Sequence, residues 1–95
     1  MNTKVQLALL DCLCNSPYYK RAETLAREVE RITSEPVDVG SLRAQLSVWI
    51  EAGYVDIKAN RPMLNREFSL IQEGMAFREE FKKQSSHGTA QSATV

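Results

Sequence analysis

The stretch Val39-Gly40-Ser41-Leu42-Arg43-Ala44-Gln45-Leu46-Ser47-Val48-Trp49-Ile50-Glu51-Ala52-Gly53-Tyr54-Val55 decides the fold. Leu42, Leu46, Trp49 and Ile50 fall at i, i+4, i+7 and i+8, one apolar stripe along a helix of about residues 39–52. Asp38 or Ser41 can cap its start, and Gly53 supplies the left-handed stop that helices favour at their C-terminus. Tyr54-Val55-Asp56-Ile57-Lys58 then alternates with period two, as a half-buried strand does. A helix therefore runs, through one glycine, straight into a strand.

Outward from that segment the same periodicities organise the rest. A first helix is expected from about Thr3 to Cys14, with Val5, Ala8, Leu9, Cys12 and Leu13 on its main apolar face. Leu7, Leu10 and Cys14 lie nearly opposite, so this helix is either buried between layers or part of a subunit contact. Asn15-Ser16-Pro17 ends it, and Tyr18-Tyr19-Lys20-Arg21 is a link with room for one short strand. A second helix from about Arg21 to Ile32 turns Ala22, Leu25, Ala26, Val29 and Ile32 inward. Glu23, Arg27 and Arg31 follow at i+4 on its solvent side. Strands at 54–59 and 66–71, joined by Asn60-Arg61-Pro62-Met63-Leu64-Asn65, make a hairpin, and a short helix from Met75 to Lys83 closes the domain. Residues 84–95, rich in Ser, Thr, Ala, Gln and Gly without periodicity, read as a disordered polar tail. The inward phases predict a core of Leu9, Leu13, Leu25, Val29, Leu42, Leu46, Trp49, Ile50, Val55, Ile57, Phe68 and Leu70.

Composition narrows the function. Ninety-five residues with 43% hydrophobic content suit one small domain. No apolar run approaches the roughly 20 residues of a membrane helix, and the N-terminus lacks the marks of a signal peptide, so a cytoplasmic location is expected. Twelve basic and twelve acidic residues give zero net charge, which argues against a strong non-specific binder of nucleic acid. A site-specific one depends instead on how charge is distributed. Cys12 and Cys14, two apart on a helix, diverge by about 200° and do not bridge. With His87 alone in the tail they make no zinc site. No Gly-rich phosphate loop, carboxylate pair or nucleophile–base set is legible, so neither an enzyme nor a cofactor is expected.

The order helix, helix, helix, strand, loop, strand, helix resembles a winged helix-turn-helix: mainly α, a three-helix core, a two-stranded antiparallel wing and a short C-terminal helix over residues 1–83. The segment from Gly40 to Val55, and Arg66-Glu67-Phe68-Ser69-Leu70-Ile71-Gln72-Glu73-Gly74, are similar to PadR-like transcriptional regulators, and the likeness covers most of residues 5–81. MarR-like and ArsR-like regulators share the same passage from helix to wing. Two departures stand out: Leu42 occupies the place of a tyrosine common in PadR-like proteins, and the helices through which those proteins dimerise are reduced to a stub ending at Lys83.

The resemblance implies a sequence-specific, double-stranded-DNA-binding transcriptional regulator, with the third helix in the major groove and the wing on the flanking backbone. Its outer face holds Gly40, Ala44, Ser47, Val48 and Glu51, flanked by Ser41, Arg43 and Gln45. Arg43 suits a guanine edge or a phosphate, Gln45 an adenine, Ser41 and Ser47 either, and Ala44 and Val48 thymine methyls. Lys58, Asn60, Arg61 and Arg66 on the wing suit the backbone or minor groove, and Lys20 and Arg21 at the start of the second helix suit phosphate. The plain alternative for Arg43 is a surface ion pair with Glu51 or another neighbour. For the whole chain it is a protein-interaction module, a subunit or an antagonist of another regulator. Neutral charge, Glu51, Ala44, Val48 and the apolar Met63–Leu64 tip favour that alternative. A homodimer through the first and last helices is expected, using Leu7, Leu10, Cys14, Phe77 and Phe81.

Overall fold

The computed structural model describes residues 1–14, 19–60 and 65–94, with 59, 60, 65 and 85–94 described by backbone alone. Four helices and three strands follow one another as α1 (Thr3–Cys14), β1 (Lys20–Arg21), α2 (Ala22–Thr33), α3 (Val39–Glu51), β2 (Val55–Asn60), β3 (Asn65–Leu70) and α4 (Gln72–Thr94). The molecule is mainly helical, with a small antiparallel sheet in the order β1-β3-β2.

Helices α1 and α3 start on side-chain caps. The Asn2 side chain accepts from the Val5 N–H at 2.9 Å, and Asp38 accepts from the Ser41 N–H at 2.9 Å. At the far end of α3, the Tyr54 N–H reaches the Trp49 carbonyl at 2.9 Å and the Gly53 N–H reaches that of Ile50 at 3.1 Å. Those paired bonds need a left-handed residue between them, and Gly53 adopts φ of 87° without the cost a side chain would bring. The chain leaves α3 already turned into β2.

The hairpin registers Val55 opposite Leu70, Ile57 opposite Phe68 and Asn60 opposite Asn65. Alternation sends Val55, Phe68 and Leu70 into the core and leaves Asp56 and Lys58 exposed on the opposite side. The link before α2 does form a strand. Lys20 pairs with Phe68 and Arg21 with Glu67, which makes the sheet three-stranded, where periodicity marked only two strands.

The core is one cluster contributed by α1, α2, α3 and the sheet, in which Leu9, Leu10, Leu25, Val29, Leu42 and Leu46 are fully buried. Several expectations need correction. Ile50 and Ile57 are only half-buried, because both border an open groove between α3 and the sheet. Ile32 is 59% exposed and Thr33 is buried in its place. Thr33 continues the line of Ala22, Ala26 and Val29, and its hydroxyl donates to the Val29 carbonyl at 2.8 Å, so the polar atom is satisfied. Arg21 caps α2 from extended backbone and is not part of the helix.

Leu10 is completely buried within the single chain, since α1 packs against α2, β3 and α4 at once. Phe77 stacks on Tyr54 at 4.2 Å between ring centroids and meets Trp49 edge-on at 6.1 Å. Arg78 adds an ion pair to Asp11 at 2.7 Å. The second apolar face of α1 is thus largely covered by the chain's own last helix, and much of the surface assigned to a dimer is used internally. Met75 is exposed, whereas Gly74 is buried against the Tyr54 carbonyl. Helix α4 starts three residues before the expected Met75, and its backbone continues through Thr94, past the expected end at Lys83. Among the described residues, no helix is long and apolar enough to cross a membrane.

Candidate nucleic-acid interface

Helix α3 presents Gly40, Ser41, Arg43, Ala44, Ser47, Val48 and Glu51 to solvent, with Val48 59% exposed. The three leucine and tryptophan anchors on its other side fix that orientation, because Leu42, Leu46 and Trp49 are buried. Between this face and the sheet lies an open groove of about 600 Å³. Arg43, Ser47 and Glu51 line it from α3, Arg66 from β3, and Ile50, Ile57 and Phe68 supply its apolar side.

The expected contact residues divide into five groups. Arg43, Ser47 and Arg66 come together around the groove. Ser41 and Ala44 are exposed on the same helix, although the Ser41 hydroxyl lies 3.2 Å from Asp38 Oδ2 and takes part in the cap. Lys58 and Arg21 belong to the other face of the sheet. Lys58 pairs with Glu67 across the hairpin, one residue out of phase with Ile57 and Phe68, and Arg21 registers with the same Glu67. There the Lys58 ammonium lies 5.8 Å from the centre of the Tyr19 ring, whose hydroxyl donates to Asp56. That bond holds the Tyr19 phenol above its ordinary pKa. The backbone of Asn60 pairs with Asn65 at the end of the hairpin, while Arg61, with Met63 and Leu64, lies outside the described residues.

Two expected contacts are engaged by other side chains. Lys20 donates to both carboxylate oxygens of Glu28, at 2.7 and 2.9 Å, in a half-buried pair. Gln45 accepts from Gln6 of α1 at 2.8 Å and is half-buried. Arg43 also has a partner, but both members remain in water: its guanidinium pairs with Glu23 of α2, with the two side chains 55% and 51% exposed. The sequence suggested a surface pair with Glu51 or a neighbour, and the neighbour is Glu23. Glu23 and Glu28 were not legible as site residues, because on α2 alone they read as a solvated face.

Both cysteines are free. Burial pushes the Cys12 thiol up to about 11, and the nearby Glu28 carboxylate pushes the same way. A buried thiol of that kind is a packing group. In native protein, Cys12 should resist iodoacetamide at pH 8 and react only on unfolding, which peptide mass mapping checks. Because its folded pKa exceeds that of a free thiol, the stability Cys12 contributes is complete below about pH 9 and declines as pH rises through about 11. Among the described residues, no three of His, Cys, Asp and Glu gather as a metal site requires.

Comparison of the chain with family models, with curated proteins and with solved structures returns no match.

Proposed function

We propose that this chain is a winged helix-turn-helix domain, of the PadR-like kind, acting in the cytoplasm as a sequence-specific binder of double-stranded DNA and a regulator of transcription. The carrying observation is the exposed face of α3, which meets the hairpin at a groove holding both Arg43 and Arg66. Thirteen helical residues span about 20 Å, enough to lie along a major groove about 12 Å wide. In that pose Arg43 reaches a guanine edge, Ala44 and Val48 meet thymine methyls, and Ser47 bonds base or phosphate. Arg66 takes the backbone beside the hairpin.

Of the groove's two guanidinium groups, Arg43 already pairs with Glu23, and Glu51 lines the same groove, so a single domain gains little from counterion release. Two copies on a two-fold-related site are therefore the binding unit. Selection from random duplexes, followed by titration at two salt concentrations, tests the reading. Arg43→Ala should cost ~1–3 kcal/mol at the preferred site and relax discrimination at about one base pair. Arg66→Ala should weaken all duplexes alike and flatten the salt dependence.

One observation favours a second reading, a protein-interaction module. Lys20 is neutralised by Glu28 and Arg43 by Glu23, while Ala44 and Val48 present apolar atoms outward. A selection that enriches no sequence, with the protein folded, would favour that reading over DNA.

A further inference from the structure

Arg43 is the one cation within α3, and its guanidinium is held by a carboxylate from a different helix. Glu23 sits in the first turn of α2, at the border where α2 packs against α3. Both side chains are more than half exposed, so the pair is bathed in water and readily exchanged. We propose that Glu23 tempers sequence-specific binding by competing with a guanine edge for Arg43, so that cognate recognition costs the Glu23–Arg43 pair. This inference rests on the DNA-binding reading of α3.

Three competing partners for one guanidinium decide the outcome. An exposed ion pair such as Glu23–Arg43 shifts an equilibrium by up to about fivefold. A phosphate at a solvated backbone is another exposed ion pair and offers no larger factor, so phosphates alone do not displace Glu23. A bidentate contact to guanine O6 and N7 discriminates by about 5- to 150-fold, and a correct base pair therefore does displace it. Arg43 meets Glu23 through one contact, Nη2 to Oε1, whereas a guanine edge can take both prongs of the guanidinium's planar fork, so the exchange trades a single contact for a paired one. With Glu23 in place, non-cognate DNA finds α3 without a free cation. With Glu23 removed, the cognate duplex gains the whole cost of breaking the pair, whereas a non-cognate duplex, on which Arg43 had stayed with Glu23, gains less.

The experiment compares wild type, Glu23→Gln, Arg43→Ala and the double variant by fluorescence anisotropy. Each is titrated with the duplex recovered by selection and with a scrambled 20-base-pair duplex. Glu23→Gln should tighten binding to the selected duplex about two- to fivefold and to the scrambled one by less, raising the specificity ratio. In the Arg43→Ala background the same substitution should leave that ratio unchanged. An equal gain in both backgrounds would mean that Glu23 acts only as a repelling charge, and the proposal would be wrong. A wild type with clear sequence preference whose ratio is unmoved by Glu23→Gln removes the role of Glu23 and leaves the DNA-binding reading intact. A folded wild type that binds no duplex, or binds both alike, overturns the reading and this inference together.

Discussion

Gly74→Ala is expected to lower stability by ~3 kcal/mol or more, a drop of about 12 °C or more in the thermal midpoint of a domain this size. Gly74 is buried at the start of α4, where that helix passes over the end of α3. A Cβ there would lie 2.6 Å from Leu70 Cδ1 and 2.9 Å from Leu70 Cγ, and would press into the Tyr54 carbonyl oxygen well inside van der Waals contact. The leucine can rotate away, but the carbonyl cannot. It belongs to the turn that follows α3 and already accepts the Ile71 N–H at 3.1 Å. Relief therefore requires α4 to lift, which loosens Phe77 from Tyr54 and Trp49. The sign is what makes the test decisive. On an open helix the same substitution stabilises by up to ~1 kcal/mol, because alanine is the better helix former. An unchanged or raised midpoint in thermal melts followed by circular dichroism would refute the close approach.

Leu10→Ala should cost ~2–5 kcal/mol in urea unfolding, by the same amount at low and high protein concentration. Leu10 has no exposed surface in the isolated chain, and the elements around it arrive from both sides of α1. The substitution leaves a cavity in one molecule. A leucine shared between subunits would instead give a cost that depends on protein concentration. A concentration-dependent midpoint, or a loss below 1 kcal/mol, would restore the dimer contact that the sequence suggested for this face.

Much of the frame was legible because it depends on local chemistry. The Asp38 cap, the leucine and tryptophan stripe of α3, the Gly53 stop and the alternation of β2 are each written within a few adjacent residues. What the sequence concealed depends on neighbours far along the chain. A two-residue strand such as Lys20–Arg21 has no period to detect, and only β3 reveals it. The place of Leu10 depends on where α4 lands, and the need for glycine at 74 depends on a carbonyl twenty residues earlier. The candidate site follows the same rule. Exposure of Arg43, Ala44 and Ser47 came from helical phase alone. The partners of Arg43, Lys20 and Gln45 sit on other elements, as Glu23, Glu28 and Gln6. Alternation also separates Lys58 from Arg66, so these two cations lie on opposite faces of the hairpin.

The exposed face of α3, with Arg66 beside it, is the surface proposed to bind DNA. The most direct measurement is an amide chemical-shift titration of the folded protein with a duplex recovered by selection. The largest changes are expected at Ser41, Arg43, Ala44, Ser47 and Val48 of α3 and at Arg66 of β3, with Leu9 and Val29 in the core nearly still. Shifts confined to the Tyr19–Lys58 face of the sheet or to α4, or no shifts at saturating duplex, would contradict it.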